Sequence, residues 1–313
     1  MMESDVVSLR CPDDSGTLKV KGECLVCSKC AKCYPVVDGV IRVLAETDTF
    51  YEGTYTNQIF FLPRGRSFWS ELPLWVIANG YLWNVRRYVH RGSRIAEMGC
   101  AAGVDWFGKA YSMIGVDVSH EGLAIAARKY DCCIQAADLA AISDATLDAV
   151  ISSYFWEHMT AEVKEKLTAD IKRVLKPGGH VVFLYDVETG NPLITWIRGL
   201  RPDLYQKLFI DSDGHFGYET ITVNEQRFVR HGFELIRSNP LERMPLQSTS
   251  VYKKMDLWDG APHLVGRLAV FLDWALVAKP YWAFLRLIDE TVGRLFPRSW
   301  GRIAITVARK PFA

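Results

Sequence analysis

One stretch constrains this chain more than any other: Arg94-Ile95-Ala96-Glu97-Met98-Gly99-Cys100-Ala101-Ala102-Gly103, followed by Ile114-Gly115-Val116-Asp117-Val118-Ser119. It reads as a strand, a tight glycine turn, a helix and a second strand ending in a carboxylate. An α/β sheet holds a nucleoside this way. Small residues let the backbone come close to the ligand, and an acid about 20 residues further on binds ribose hydroxyls. Asp117 lies 20 positions after Glu97. The loop is Glu-x-Gly-x-Ala-x-Gly, not the Gly-x-Gly-x-x-Gly of a dinucleotide site. Glu97 at the strand end would repel a pyrophosphate, whereas a ligand with a cationic amino-acid tail tolerates it.

Later segments continue the α/β pattern. Ala136-Ala137-Asp138-Leu139 follows the short apolar piece Cys132 to Ile134. Leu147 to Ser153 reads as a buried strand and leads into Tyr154-Phe155-Trp156-Glu157-His158-Met159. Ala161 to Val174 has helical periodicity. Leu175-Lys176-Pro177-Gly178-Gly179 reads as a sharp stop, since proline cannot continue a helix and glycine supplies the turn. His180 to Tyr185 reads as the next strand.

Taken in order, these motifs resemble the class I S-adenosylmethionine-dependent methyltransferases, over roughly residues 91 to 187 plus strand-like pieces at 232–237 and 302–309. The resemblance implies a Rossmann-like α/β fold with a seven-stranded sheet whose last strand runs antiparallel. It implies S-adenosyl-L-methionine as cofactor. Glu97 and Gly99 would face its methionine part, with Cys100, Ala101 and Gly103 in the turn. Asp117 and Val118 would lie at the ribose, Asp138 and Leu139 at the adenine, and Ser153 under the sulfonium. Ala101 stands where the family usually has glycine, which narrows the space over the ligand. His158 is the first candidate base, with Glu157 and Tyr154 beside it. Asp186 and His215 are secondary candidates.

The cysteines are unevenly placed: five of the eight fall between Cys11 and Cys33. Cys-Pro-x-Asp at Cys11–Asp14 and Cys-x-x-Cys at Cys27–Cys30 flank a hairpin-like stretch with Gly16 and Gly22. Tyr34-Pro35-Val36-Val37-Asp38-Gly39 follows. Two such knuckles complete a closed tetrahedral metal site. The pattern resembles the zinc-ribbon module that precedes some methyltransferases, and the small activator subunit of certain tRNA and release-factor methyltransferases. It implies a structural zinc on Cys11, Asp14, Cys27 and Cys30, with Cys24 or Cys33 as alternative ligands. The even spacing of Cys24, Cys27, Cys30 and Cys33 leaves an iron–sulfur cluster as a second reading.

The expected division is a ribbon-like module at 1–45, a linker and helix at 46–90, and the main domain at 91–313 with insertions near 188–218 and 240–300. Phe68 to Val89 is expected to form a helix. Leu264 to Val277 and Tyr281 to Leu295 are expected to form two more, broken at Pro280. Charged residues interrupt this second insertion, so it does not span a bilayer. A lid, a dimer interface and a membrane-lying surface stay open for it, in that order. Met1 to Arg10 has no apolar core like that of a secretory signal, so a cytoplasmic location is expected. The net charge of +1 gives no global argument for nucleic acid, although Lys19, Lys21, Lys29 and Lys32 make a local basic patch. The sequence thus favours a small-molecule or sugar acceptor, O- or N-methylated. A macromolecule recruited by the ribbon is the alternative, and a non-catalytic cofactor-binding regulator is a minor one.

Overall fold

Ile95, Ala96, Met98, Met113 to Val116 and Ala149 to Ile151 are all buried, as strands covered on both faces must be. In the computed structural model, which describes residues 9–45, 51–52, 80–244, 247–257 and 263–312, they form the middle of one large sheet. Its strands are β1 (Leu18–Lys21), β2 (Cys24–Cys27), β3 (Cys33–Val37), β4 (Val40–Arg42), β5 (Arg94–Met98), β6 (Ser112–Asp117), β7 (Cys132–Gln135), β8 (Leu147–Ser153), β9 (Leu175–Asp186), β10 (Glu234–Leu241) and β11 (Ile303–Arg309). Their order is β1-β2-β3-β4-β7-β6-β5-β8-β9-β11-β10. From β7 to β9 neighbours are parallel. β11 pairs antiparallel with both β9 and β10. The chain reverses its direction of winding at β5 and β8, and an open α/β sheet binds ligands outside the carboxyl ends of the strands at that point.

The sheet has eleven strands: β5 to β11 are seven, with β11 antiparallel, and the four N-terminal strands expected as a separate module extend them. β4 adds in parallel to the edge of β7, with Val40 opposite Cys133 and Ile41 opposite Ile134. That edge would otherwise present unpaired backbone groups. The N-terminal strands therefore continue the main sheet, and Leu9, Leu25 and Tyr34 share one core with Val150, Phe183 and Phe228. The fifth strand of the main domain also begins earlier than expected, at Leu175 instead of His180. Lys-Pro-Gly-Gly does not leave the sheet. Gly178, at φ 77°, donates its N–H to the Lys310 carbonyl, and Lys310 donates to that of Gly179.

Of the expected helix at 68–89, Tyr81–Tyr88 (α1) is present; the part before residue 80 lies outside the described residues. α2 (Asp105–Ala110), α3 (His120–Ala126), α4 (Ala161–Val174) and α7 (Ile221–Arg230) cover the sheet. α4 buries Leu167, Ile171 and Val174, which lie three and four residues apart. The first insertion contains α5 (Pro192–Leu200) and α6 (Pro202–Tyr205), which widens into a π turn over Gln206–Asp211. The second contains α8 (Thr249–Asp256), α9 (His263–Asp273) and α10 (Ala275–Glu290). Its break falls at Trp274, which is extended, and not at Pro280, which lies inside α10. So near a helix start, proline forfeits one hydrogen bond without ending the helix. The two insertions share a core: Ile194, Ile197, Tyr205 and Phe209 pack with Val251 and Met255. α9 and α10 expose Leu264, Val270, Phe271, Phe284 and Leu287. Among the described residues no helix is long and apolar enough to cross a membrane.

Candidate active site

The turn after β5 is built from left-handed backbone: Gly99 at φ 63°, Ala101 at 43° and Gly103 at 65°. A Cβ on Gly99 would lie 2.7 Å from the Phe155 ring, so space and dihedral both require glycine there. Ala101 holds an angle that a side chain disfavours, and Asp117 pins it. One Asp117 oxygen accepts the Ala101 N–H at 2.8 Å and the other accepts the Ser119 N–H at 2.9 Å. Asp117 is pushed up by burial, which these backbone bonds only partly offset. Glu97 is buried at the end of β5 and accepts the Tyr130 hydroxyl. Burial first, then the Asp117 charge, raises its carboxyl to about 8. Two acids thus converge beside the glycine turn.

Most of the other expected cofactor residues have partners within the fold. Cys100 is buried against Gly115, where an added Cβ would lie 2.9 Å from its sulfur. Leu139 is a core residue, fully buried. Asp138 pairs with Lys166 on α4 at 2.9 Å and accepts the Ala140 N–H. The carbonyl of Val118 accepts the Gln135 amide. Ser153 ends β8, and its neighbour Ser152 bonds the Met98 carbonyl at 2.9 Å, tying the two strand ends together. Glu52 is a residue that sequence reasoning passed over. Its carboxylate accepts from the Ser119 hydroxyl and from the His120 and Glu121 N–H groups. It thereby fills the anion position at the start of α3.

The other wall follows β8. Tyr154 takes φ 52° and anchors its N–H on the Leu184 carbonyl. Glu157 is fully buried, and its carboxyl oxygens accept from no side chain among the described residues; only the backbone N–H groups of Glu157 and Asp186 approach them. Burial and the Asp186 charge push it well above the usual carboxylate range. His158 donates Nδ1–H to the Gly214 carbonyl at 3.0 Å, which leaves the lone pair on Nε2. Its ring meets His215 edge-on at 5.0 Å and Tyr51 edge-on at 5.7 Å. His215 Nδ1 bonds the Tyr218 hydroxyl at 2.7 Å, and that hydroxyl reaches Asp186 at 3.4 Å. Burial lowers both imidazoles to about 4, so both are neutral at pH 7. Arg302 closes the floor through Asp186 and Glu242. Burial opposes its charge, but the Glu242 and Asp186 carboxylates outweigh this and push it up.

The first insertion delivers His215 because its loop is locked to the β8 turn. Gly217 donates to the Glu157 carbonyl at 2.8 Å, and its missing side chain matters: a Cβ would sit 1.8 Å from the Met159 carbonyl oxygen. The structure therefore brings together Glu157, His158, Tyr154, Asp186 and His215. It adds Tyr218, Arg302, Glu242 and Tyr51, which no local motif marked.

A second cluster lies in the N-terminal strands. Cys11, Asp14, Cys27 and Cys30 bring one ligand atom each within 4.8 Å of one another. Gly16 fits against them so closely that a Cβ would lie 2.6 Å from the Cys27 sulfur and 2.9 Å from an Asp14 oxygen. Backbone donation from Gly16 holds Asp14 down at about 2. Cys24 and Cys33 are not alternative ligands: they form a disulfide across β2 and β3. That pairing also removes the four-cysteine row on which an iron–sulfur cluster would depend.

Sheet order, the glycine turn with its two acids and a walled site at the switch point define a methyltransferase-like α/β fold. The methyltransferase domain family matches residues 96–183, the segment that carries the glycine turn, Asp117 and the Glu157–His158 turn. No curated protein matches the sequence. Among solved structures, it is similar to phosphoethanolamine N-methyltransferase 2 of Haemonchus contortus with S-adenosyl-L-methionine, at 18% identity and TM-score 0.47. That alignment covers 74% of this chain and 52% of the other, so this chain spans about half the length of that enzyme. It is also similar to the Haloferax volcanii complex of the Trm112 methyltransferase activator with a methyltransferase, at 16% identity and TM-score 0.44 over 78% and 92% of the chains. The YcgJ protein of Bacillus subtilis aligns at 15% identity and TM-score 0.45, over 74% and 98%. Likeness at this level says nothing about the acceptor.

Proposed function

We propose that this protein transfers the methyl group of S-adenosylmethionine to an oxygen or nitrogen of a small-molecule or sugar acceptor. The observation that carries the reading is the juxtaposition at the switch point. Two acids flank a left-handed glycine turn on β5, and neutral imidazoles wall the end of β8. Glu97 and the backbone of the turn suit a cationic amino-acid tail, and Asp117 suits ribose hydroxyls. In the transfer, the new bond to the methyl carbon forms as the sulfur–methyl bond breaks, and the electron pair stays on sulfur. The acceptor must lose a proton. His158, with its lone pair on Nε2, is the candidate base. Positioning supplies most of the remaining acceleration.

The insertions share a core of their own, and the first sets His215 against His158; an acceptor side bounded by such an insertion would suit a small molecule. A macromolecular acceptor, recruited through the N-terminal strands and their lysines, is the second reading. A regulator that binds the cofactor without turnover is the third. The N-terminal quartet would hold a structural zinc, since four protein ligands close the shell and leave no position for chemistry. The test is a screen of labelled methyl transfer to hydroxylated and amine small molecules, RNA and protein. Transfer to a small acceptor that His158→Ala reduces supports the reading. Transfer to RNA or protein alone overturns it in favour of the second, and tight cofactor binding without turnover favours the third.

A further inference from the structure

We propose that Glu157, His158 and His215 form a binding site for a divalent transition metal, zinc foremost, at the acceptor side of the site. The proposal rests on the methyltransferase reading only for what the metal would meet. One ligand atom from each residue lies within 4.8 Å of the others. Two imidazoles and one carboxylate are the donor set of open zinc sites and of related first-row metal centres, which keep a position for an exogenous ligand. A metal–ligand bond of about 2 Å sets donor atoms roughly 3.3 Å apart, so the three groups need only draw inward.

Three independent observations point to a cation. The first is Glu157: it has no exposed surface, and its oxygens accept from no side chain among the described residues, the backbone N–H groups of Glu157 and Asp186 being their nearest donors. A buried polar group left this way demands an explanation, and a bound cation supplies one. The second is the support behind each ring. His158 donates Nδ1–H to the Gly214 carbonyl. His215 Nδ1 is held by Tyr218, which in turn reaches Asp186. Metal-binding imidazoles are oriented by such partners, which direct Nε2 at the ion. The third is that the fold fixes these residues to one another: Gly217 ties its loop to the Glu157 carbonyl. The acceptor's hydroxyl or amine would take the open position. With a metal bound, His158 would be a ligand; without one, the same nitrogen is the candidate base.

The test is equilibrium dialysis of the full chain against zinc, and against cobalt with its visible spectrum recorded. The thiolate quartet gives a sulfur-to-cobalt charge-transfer band, whereas the site proposed here gives only weak visible bands. Wild type should bind one equivalent beyond the thiolate site. His158→Ala and His215→Ala should lose that equivalent and keep the charge-transfer band. Tyr218→Phe leaves the packing in place and should weaken the equivalent by about 10–100-fold, which keeps the test valid if an alanine variant fails to fold. Metal binding that is the same in wild type and all three variants overturns the site. S-adenosylhomocysteine binding is measured on the same samples. If it persists with no extra equivalent, the metal site falls and the methyltransferase reading stands. An extra equivalent without cofactor binding gives the reverse.

Discussion

At the scale of single residues, Glu97 links ionisation to ligand. Its folded value of about 8 lies above the ordinary 4.5. The stability it contributes is therefore fully present below pH 4.5 and is lost as pH rises through 8. A cationic ligand favours the charged form. Cofactor affinity should thus rise up to about tenfold per pH unit between 6 and 8, with release of a proton. Calorimetry in buffers of different ionisation enthalpy measures that release, and Glu97→Gln should abolish it. A wild type that releases no proton would refute the assignment. His158 and His215 carry the opposite sign. Their values of about 4 lie below 6.5, so their contribution is present above pH 6.5 and fades as pH falls toward 4. Urea midpoints should drop over that window, and less so in a His158→Asn, His215→Asn double variant. Gly99→Ala meets both a φ of 63° and the Phe155 ring. It should cost about 1–3 kcal/mol and weaken cofactor binding; an unchanged melting point would contradict the geometry.

At the scale of elements, the N-terminal hairpins are held by covalent and packing devices. The Cys24–Cys33 disulfide closes a short loop, a constraint worth about 2–3 kcal/mol. Cys27→Ser should remove one bound zinc per chain by elemental analysis, as should Gly16→Ala, whose methyl would intrude on the ligands. A zinc content equal to wild type in both would argue against the quartet. The glycine turn, Asp117 and the Glu157–His158 turn were legible in the sequence because each is local: a few adjacent residues fix backbone and chemistry together. Glu52, Tyr218 and Arg302 were not, because each acts across 32 or more positions and no spacing marks such a contact. The Asp138 assignment was read from position in the motif. Its pairing with Lys166 depends on how α4 lies on the sheet, which a motif does not encode.

At the scale of the whole molecule, the parallel addition of β4 to β7 makes the N-terminal strands part of the main sheet. The sequence marked a separate module because its cysteine pattern is self-contained; only the tertiary register revealed the join. The full chain should then unfold without a separate early transition for residues 9–45. Deleting residues 1–45 strips Leu9 and Ile41 from the core and should cost at least about 3 kcal/mol, the scale of two buried aliphatic side chains. Two well-separated calorimetric transitions would contradict this. The central claim, a cofactor site built from Glu97, the glycine turn and Asp117, is tested most directly by calorimetric titration of S-adenosylmethionine and S-adenosylhomocysteine into wild type and Asp117→Ala. The account predicts micromolar binding of both to wild type, weakened about tenfold or more in the variant. Failure of wild type to bind either ligand would contradict it.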